Sequence, residues 1–273
     1  MCYQPFVSTV TGKIIGAEAL IRWRSPIYGE VSPGRFVPYL ESHSCFYDLS
    51  IWILHRAMSD VKEILKDCPR FFINVNMSYS QLERPEFVHE VVEILDEVGF
   101  PAQNLQLELT ERCRNLDMKY LKEQLSFLRE HKIKIALDDY GTGNSTINLL
   151  CELPITSVKI DQTFILNILE KGSNRVVVDS TVQCAKSLGL TVCLEGVETQ
   201  EIKDFLTDNK DDLAGTEGNG GYPVGVAVNV DQDAVLCHGI CAGKEKVCVI
   251  GCQHSCTLIF HLVAVDEVVV TLC

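Results

Sequence analysis

The sequence contains little positive charge. Lys and Arg together number 24 against 37 Asp and Glu, which gives a formal net charge of -13. Such an acidic chain lacks the general basic surface that holds nucleic acid polymers, so we expect none among its partners. An anionic ligand would have to be held locally, by a few cationic side chains or by metal ions.

Signals for export and membrane insertion are weak. The N-terminus lacks the basic segment and apolar run of a secretory signal, which makes the cytoplasm the expected compartment. Segment 247–265 has 19 residues without a formal charge, just enough to span a bilayer. It contains Gln253, His254 and His261, whose polar groups are costly in lipid, so we do not expect a membrane span.

The 13 cysteines form two groups. Seven occur singly in otherwise ordinary segments and are predicted to be reduced, mostly buried thiols: Cys2, Cys45, Cys68, Cys113, Cys151, Cys184 and Cys193. The other six follow residue 236, among several histidines, but lack the two-residue spacing of zinc-binding pairs. For this Val-rich segment we therefore favour β-strands over a zinc site, and we note that it is prone to aggregation.

Residues 1–205 alternate apolar runs with amphipathic segments, which is typical of strand and helix units around a parallel sheet. The pattern predicts strands over 3–10, 14–23, 71–77, 105–109, 133–138, 156–160 and 190–195, the first two forming a hairpin. It predicts helices over 45–65, 87–98, 116–130, 175–188 and 200–206, and a loop over 25–38.

The stretch KIALDDYGTGNS, residues 134–145, organises the chain. A short buried strand ends in Asp138 and Asp139, and the Gly141, Thr142, Gly143 turn follows. Adjacent acids at a strand end, beside a loop that allows close backbone approach, suit a divalent cation or a phosphate-bearing substrate. Taken alone, the pair is equally compatible with a solvated turn that caps a helix.

Polar side chains end or interrupt nearly every predicted strand: Glu18, Arg22, Asn76, Glu108, Asp138, Asp139, Lys159, Asp161 and Glu195. In a (β/α)8 barrel the carboxyl ends of the strands meet on one face, where such barrels carry their active sites. Buried acids are costly without compensation, and Lys159 and Arg22 are too few to offset them, so the pattern indicates a cation site rather than independent ion pairs.

Seven short motifs carry a family resemblance: YQP at Tyr3, GAEALIRW at Gly16, VNMSYSQL at Val75, LELTE at Leu107, ALDDYGTGNS at Ala136, VKID at Val158 and EGVET at Glu195. In this order and spacing they resemble the EAL-domain phosphodiesterases of the bacterial second messenger cyclic di-GMP, over about residues 3–205. The resemblance implies a TIM-like α/β barrel with an antiparallel first strand. It also implies hydrolysis of cyclic di-GMP to linear pGpG with Mg²⁺ or Mn²⁺, and it makes a homodimer plausible.

The resemblance also implies roles for individual residues. Five would be ligands of a two-metal site: Glu18, Asn76, Glu108, Asp138 and Asp139. Lys159 would activate the attacking water, with a pKa lowered by burial and two nearby cations, and Glu195 would hold that water or a metal. Gln4 and Arg22 would contact the nucleotide. Supporting positions around the site would be Glu111, Gly141, Thr142, Gly143, Asp161 and Glu198.

The chain departs from the family after EGVET. The glutamine of the family's Gln-Gly-aromatic motif is missing, and Tyr222 and Pro223 follow Gly220 and Gly221 instead. We therefore divide the chain into a barrel over 1–207 and a divergent tail over 208–273 that substitutes for the last barrel unit, whose strand and helix the sequence does not locate. Both ends look incomplete beside the family, as in a truncated or frame-shifted product. The altered tail leaves a second function open, a receptor that binds cyclic di-GMP without cleaving it.

Overall fold

The computed structural model describes residues 1–8, 11, 13–142, 147–170, 172–197, 199–208, 225–227, 235–241 and 244–250. The strands are β1 Cys2–Ser8, β2 Ile14–Leu20, β3 Trp23–Ser25, β4 Gly29–Val31, β5 Phe72–Asn76, β6 Leu105–Thr110, β7 Lys134–Tyr140, β8 Ser157–Ile160, β9 Thr191–Leu194, β10 Gly225–Ala227, β11 Val235–Cys241 and β12 Lys244–Ile250. The helices are α1 Pro33–Glu41, α2 Cys45–Val61, α3 Ile64–Asp67, α4 Tyr79–Leu82, α5 Phe87–Val98, α6 Met118–Glu130, α7 Ile147–Glu152, α8 Gln162–Ile165, α9 Ser173–Ser187 and α10 Gln200–Asp208.

Eight of these strands close a barrel in the order β1, β10, β9, β8, β7, β6, β5, β2. Neighbours from β2 through β5 to β10 run parallel, whereas β1 is antiparallel to both of its neighbours, β2 and β10. The predicted TIM-like barrel with an antiparallel first strand is therefore confirmed. Because its parallel strands share one direction, their carboxyl ends gather at one mouth of the barrel.

The eighth position is filled by β10, which comes from the divergent tail. Val226 pairs with Val7 of β1 on one side and with Leu194 of β9 on the other. This three-residue strand joins the edges of β1 and β9, which would otherwise present unpaired backbone groups. The remaining described tail forms an antiparallel hairpin of β11 and β12, in line with the strands expected there. The predicted domain boundary at residue 207 stays a prediction.

Strand alternation divides the side chains between two environments. Ile73 and Val75 of β5, like Leu107 and Leu109 of β6, are buried in the main hydrophobic cluster with residues of the surrounding helices. Successive residues of a strand face opposite sides, so Asn74, Asn76 and Glu108 point the other way, into the barrel. The outer layer therefore supplies the apolar packing, and the interior is left for polar groups.

Two parts of the predicted secondary structure were wrong. The loop expected over 25–38 instead holds the end of the β3–β4 hairpin and the start of α1. Helix α1 begins at Pro33, where a missing N–H costs nothing, and it continues through Pro38. The helix expected over 45–65 ends at Val61 and is followed by the short α3.

The prediction for the seven scattered cysteines holds only in part. Six are free thiols, but of these only Cys113 and Cys193 are buried, and Cys45 and Cys151 are exposed. Cys68 is disulfide-bonded rather than reduced. Among the described helices, none has the length and apolar character needed to cross a bilayer.

Candidate active site

The buried side chain of Lys159 lies at the centre of the barrel mouth. Its Nζ lies 2.8 Å from Glu108 Oε2, 2.8 Å from Glu195 Oε1, 3.1 Å from Glu18 Oε2 and 3.1 Å from Asp138 Oδ1. Lys159 and Glu108 are each 1% exposed, whereas the side chain of Glu195 is 22% exposed, so water reaches the cluster only at its edge. Five strands, β2, β6, β7, β8 and the end of β9, thus bring one cation and four acids to a single point.

The charges of this cluster do not balance. Burial alone would lower the pKa of Lys159, but the negative charges of the four acids around it raise that pKa well above its ordinary value. Burial, together with the charge of Glu18, raises the pKa of Glu108 because one lysine cannot offset four carboxylates. Burial likewise raises the pKa of Glu195 to about 7. One lysine among four acids thus leaves an excess of negative charge, and a lowered pKa of Lys159 stays a prediction for the metal-loaded site.

Two asparagines of β5 donate hydrogen bonds to Glu18 and Glu108. Asn76 Nδ2 donates to Glu18 Oε1 at 2.8 Å, and Asn74 Nδ2 donates to Glu108 Oε1. Lys159 donates to the second oxygen of each of these carboxylates. Each glutamate is thus fixed at both oxygens, once by an amide and once by the lysine.

Asp138, Asp139 and Glu195 form a candidate metal-binding group, since each offers a carboxylate oxygen and these atoms all lie within 4.8 Å of one another. Burial and the charges of Asp138 and Asp161 raise the pKa of Asp139 to about 6. Its backbone has φ +55°, an uncommon conformation for a residue other than glycine. This turn of the chain brings the second aspartate to the same side as the first, which regular strand alternation would prevent.

The donor set fits hard divalent cations. Asp138 Oδ1 is buried and forms no hydrogen bond among the described residues, although it lies within ion-pair distance of Lys159. Asn76 donates its amide nitrogen to Glu18, which leaves its carbonyl oxygen available as a ligand. Every candidate ligand is an oxygen atom, as Mg²⁺ and Mn²⁺ prefer.

The turn after β7 is tightly packed beneath Asp139. Gly141 has φ +103°, and a Cβ there would lie 2.5 Å from the ring of Phe164. Thr142 ties the turn to Asp139, because its hydroxyl donates to the Asp139 carbonyl at 3.0 Å. Gly143 lies outside the described residues, so its expected role in this loop stays a prediction.

A cavity of about 670 Å³ opens beside the acidic cluster. Its lining includes Asn76 and Asp139 of the cluster, Arg22 and Glu111, and apolar residues of α1 and α2. Arg22 is exposed, donates to the Ile21 carbonyl at 3.1 Å and does not join the ion pairs around Lys159. Gln4 lies opposite Glu18 across the β1–β2 pair.

The other predicted positions have different surroundings. Glu111 is 9% exposed and begins the short 3-10 helix after β6. Asp161 caps α8 by accepting a hydrogen bond from the Thr163 N–H at 2.9 Å, so its carboxylate has a structural partner. Glu198 lies outside the described residues.

Asn74 is a site residue that the sequence reasoning missed. It contacts Glu108 inside the barrel, yet no motif singled it out. A signal was available, because Asn74 stands two residues before Asn76 on one strand and therefore faces the same side.

The cluster of acids and one lysine lies at the carboxyl ends of the strands of an α/β barrel, where barrel enzymes carry their active sites. The EAL domain family profile matches residues 1–214, and the chain belongs to this family. The chain is 34% identical over 212 residues to the cyclic di-GMP phosphodiesterase NbdA of Pseudomonas aeruginosa, covering 77% of this chain. It is also 34% identical over 206 residues to the cyclic di-GMP phosphodiesterase PA2567 of the same organism, covering 76% of this chain.

A solved structure gives the same result for the fold. The phosphodiesterase PaMucR in complex with c-di-GMP superposes with a TM-score of 0.72 at 30% identity, covering 83% of this chain and 87% of that one. The matches to NbdA and PA2567 cover only 27% and 35% of those relatives. The present chain thus spans about a third of the length of the curated relatives it matches.

Proposed function

We propose that this chain hydrolyses one phosphodiester bond of cyclic di-GMP and releases linear pGpG. The single observation that carries the proposal is the buried Lys159 with its four carboxylates, at the mouth of a barrel of the EAL family. The relatives named as cyclic di-GMP phosphodiesterases support the substrate and the reaction.

The proposed cofactor is a pair of Mg²⁺ or Mn²⁺ ions. Glu18, Asn76, Glu108, Asp138 and Asp139 would hold them, and Glu195 adds a carboxylate oxygen close to those of the two aspartates. Bound cations would supply Lewis acidity, lower the pKa of a water molecule and neutralise phosphate charge. The excess of acids over lysine fits this role because the cluster is incompletely compensated without further positive charge.

The protein's own groups would orient the reactants. With cations bound and its pKa lowered by them, Lys159 would accept the proton of the attacking water, which Glu195, 2.8 Å from the lysine, would help to hold. A proton would go to the leaving ribose oxygen as the phosphodiester bond breaks. Arg22 is exposed at the cavity and presents a guanidinium that suits a phosphate oxygen. Gln4, on the strand beside Glu18, would contact the nucleotide.

The cavity is large enough for part of a dinucleotide. Ligand pockets for small molecules commonly measure about 300–1,000 Å³, and this one measures about 670 Å³. Apolar residues of α1 and α2, such as Val37 and Leu49, form one part of its wall, while Asn76 and Asp139 form the part next to the cluster. A flat purine would lie against the apolar wall with the phosphate directed to the cluster.

Turnover by the purified chain with Mn²⁺, scored as pGpG formed from cyclic di-GMP, tests the proposal. We expect pGpG with wild type and none with Glu18→Ala, which should also bind Mn²⁺ more weakly while remaining folded. The matched control is Glu152→Ala, which removes a half-exposed acid of a surface ion pair and should keep full activity. Unchanged Mn²⁺ affinity in Glu18→Ala would remove Glu18 from the metal site.

The same assay, together with a measurement of cyclic di-GMP binding, distinguishes hydrolysis from the alternative function, binding without cleavage. Saturable binding of cyclic di-GMP with no pGpG in the presence of either Mn²⁺ or Mg²⁺ would favour the receptor and contradict hydrolysis. Absence of both binding and turnover would contradict both functions.

A further inference from the structure

We propose that Asn74 is a positioning residue of the metal site, acting through Glu108. This inference rests on the proposed function, because it assigns Glu108 to the metal ligands. Asn74 would fix the plane of the Glu108 carboxylate, so that this group meets a cation without first being reoriented.

The contacts of Glu108 are the first argument. Asn74 Nδ2 donates to Oε1, and Lys159 Nζ donates to Oε2 at 2.8 Å. Asn74 and Glu108 are each 1% exposed, so bulk water does not compete for these bonds. When a cation takes up one carboxylate oxygen, the amide can keep hold of the other and so preserve the orientation.

The chemistry of the amide is the second argument. Four carboxylates already surround Lys159, and an acid at position 74 would add another negative charge. An aliphatic side chain would leave Glu108 Oε1 buried without its donor. A neutral amide supplies a hydrogen-bond donor and adds no charge.

The third argument is that packing does not account for an asparagine at this position. The interior positions of β5 and β6 carry polar side chains, so polarity alone does not set Asn74 apart from Gln106. Asn74 Oδ1 is buried and accepts no hydrogen bond from the described residues, so this oxygen does not account for the amide. The bond to Glu108 is the one hydrogen bond of its side-chain amide among the described residues, so it is the feature that requires an amide there.

Gln106 offers a matched comparison. It is the neighbour of Asn74 in the β5–β6 register and is 8% exposed. Among the described contacts it makes no hydrogen bond to a carboxylate of the cluster. Replacing either amide by leucine removes a buried polar group from the barrel interior, but only Asn74→Leu removes a bond to Glu108.

The experiment measures Mn²⁺ affinity by electron paramagnetic resonance of the free ion, for the full chain and its variants. Asn74→Leu should weaken binding by about 10- to 100-fold, the usual effect of losing the group that orients a metal ligand. Gln106→Leu should stay within about twofold of wild type, as expected for a position without a shared contact. If wild type itself binds no Mn²⁺, the proposed function fails; if it binds and Asn74→Leu binds equally well, only the present inference fails.

A double-mutant cycle tests whether the effect passes through Glu108. In a Glu108→Gln background, Asn74→Leu should cause little further loss of Mn²⁺ affinity, because the oriented carboxylate is already gone. The same loss in both backgrounds would show that Asn74 acts by another route and would overturn the proposal.

Folding is checked by thermal unfolding in EDTA. Should Asn74→Leu fail to fold, Asn74→Ser is measured in the same way, since its shorter side chain cannot reach Glu108 and leaves room for water. Failure of both variants to fold, with Gln106→Leu folded, would make Asn74 a structural residue and would also overturn the proposal.

Discussion

At the scale of single residues, Lys159 offsets the charges of acids that β2, β6, β7 and the segment after β9 bring together. Its ammonium contacts Glu18, Glu108, Asp138 and Glu195 at 2.8–3.1 Å, and no other cation of the described residues joins these ion pairs. Without metal ions, folding of this part of the barrel depends on that single charge. Lysine and metal ions should therefore substitute for one another in stabilising the acids.

Lys159→Met should lower the melting temperature in EDTA, because four carboxylates then remain with no cation. Losing one partner of a buried ion pair costs about 3–5 kcal/mol. Saturating Mn²⁺ should raise the melting temperature of this variant more than that of wild type. We also expect binding of cyclic di-GMP to persist and turnover to be lost, since a proton-transfer group acts mainly in the transition state.

Lys122→Met is the control for this measurement. Lys122 Nζ lies 3.0 Å from Glu152 in a half-exposed surface pair, which should contribute about 0–1 kcal/mol. An equal Mn²⁺ shift in wild type and Lys159→Met would contradict the view that lysine and metal ions compensate the same acids.

Lys134, at the start of β7, has its ammonium 5.5 Å from the centre of the Phe72 ring. Burial and the nearby Arg129 lower its pKa to about 8. Because the charged form of this lysine is disfavoured in the folded protein, it lowers the free energy of unfolding, and it does so by its full amount at pH values below the folded-state pKa. Between the folded value and the ordinary value of 10.5 the unfolded chain binds more protons, so stability contributed by this group rises with pH.

Lys134→Met should remove this pH dependence. The free energy of unfolding of the variant, minus that of wild type, should be larger at pH 7 than at pH 10.5, by on the order of 1 kcal/mol or more. Urea unfolding at both pH values, with reductant present, measures the difference. If the free energy of unfolding of the variant minus that of wild type is the same at both pH values, or larger at pH 10.5, then burial does not lower the pKa of Lys134.

At the scale of elements, the residues that follow β7 connect the proposed metal ligands Asp138 and Asp139 to helix α8. Gly141 occupies a backbone conformation that L-residues rarely adopt, and the ring of Phe164 fills the space where a Cβ would lie. The turn therefore places Asp139 through two constraints, backbone conformation and contact with α8.

Gly141→Ala should destabilise the protein and reduce turnover. The left-handed conformation costs a residue with a side chain about 1–2 kcal/mol, and the clash with Phe164 adds to that cost. Adding Phe164→Leu should restore part of the stability by relieving the clash, while the backbone cost remains. Melting temperatures of the two variants check this expectation, and no recovery in the double variant would mean that the ring contact is unimportant.

At the scale of the whole molecule, closure of the barrel depends on a segment unlike the family's usual ending. Strand β10 has three residues, yet it pairs with both β1 and β9. Because these pairs complete the ring, the strand should matter to stability more than its length suggests. The expected homodimer stays a prediction.

Two truncated chains test the role of β10. A chain ending at residue 224 should unfold at lower temperature and self-associate, because β1 and β9 then carry open edges. A chain ending at residue 234 should behave like the full chain in melting temperature and in metal binding. Light scattering and thermal unfolding separate the two, and identical behaviour would show that β10 does not close the barrel.

Much of the fold could be read from the sequence because it depends on local patterns. Short apolar runs between amphipathic segments located the strands within a few positions, and helix α5 followed from its apolar spacing and from Gly99, which ends it in a left-handed conformation. Helix α1 was missed because its prolines, Pro33 and Pro38, resemble loop residues when read singly. The short β10 has too little pattern of its own to be recognised.

The chain alone also determined which chemistry is available, because carboxylates, an amide and a lysine at strand ends are visible in the motifs. Only the closed barrel decided which of them meet. Glu18 and Lys159 lie 141 residues apart in sequence and 3.1 Å apart in space, a contact that no local rule contains. The whole fold then decided that four acids surround Lys159 and raise its pKa, that Glu108 is held by Asn74, and that Arg22 lies at the cavity outside the acidic cluster.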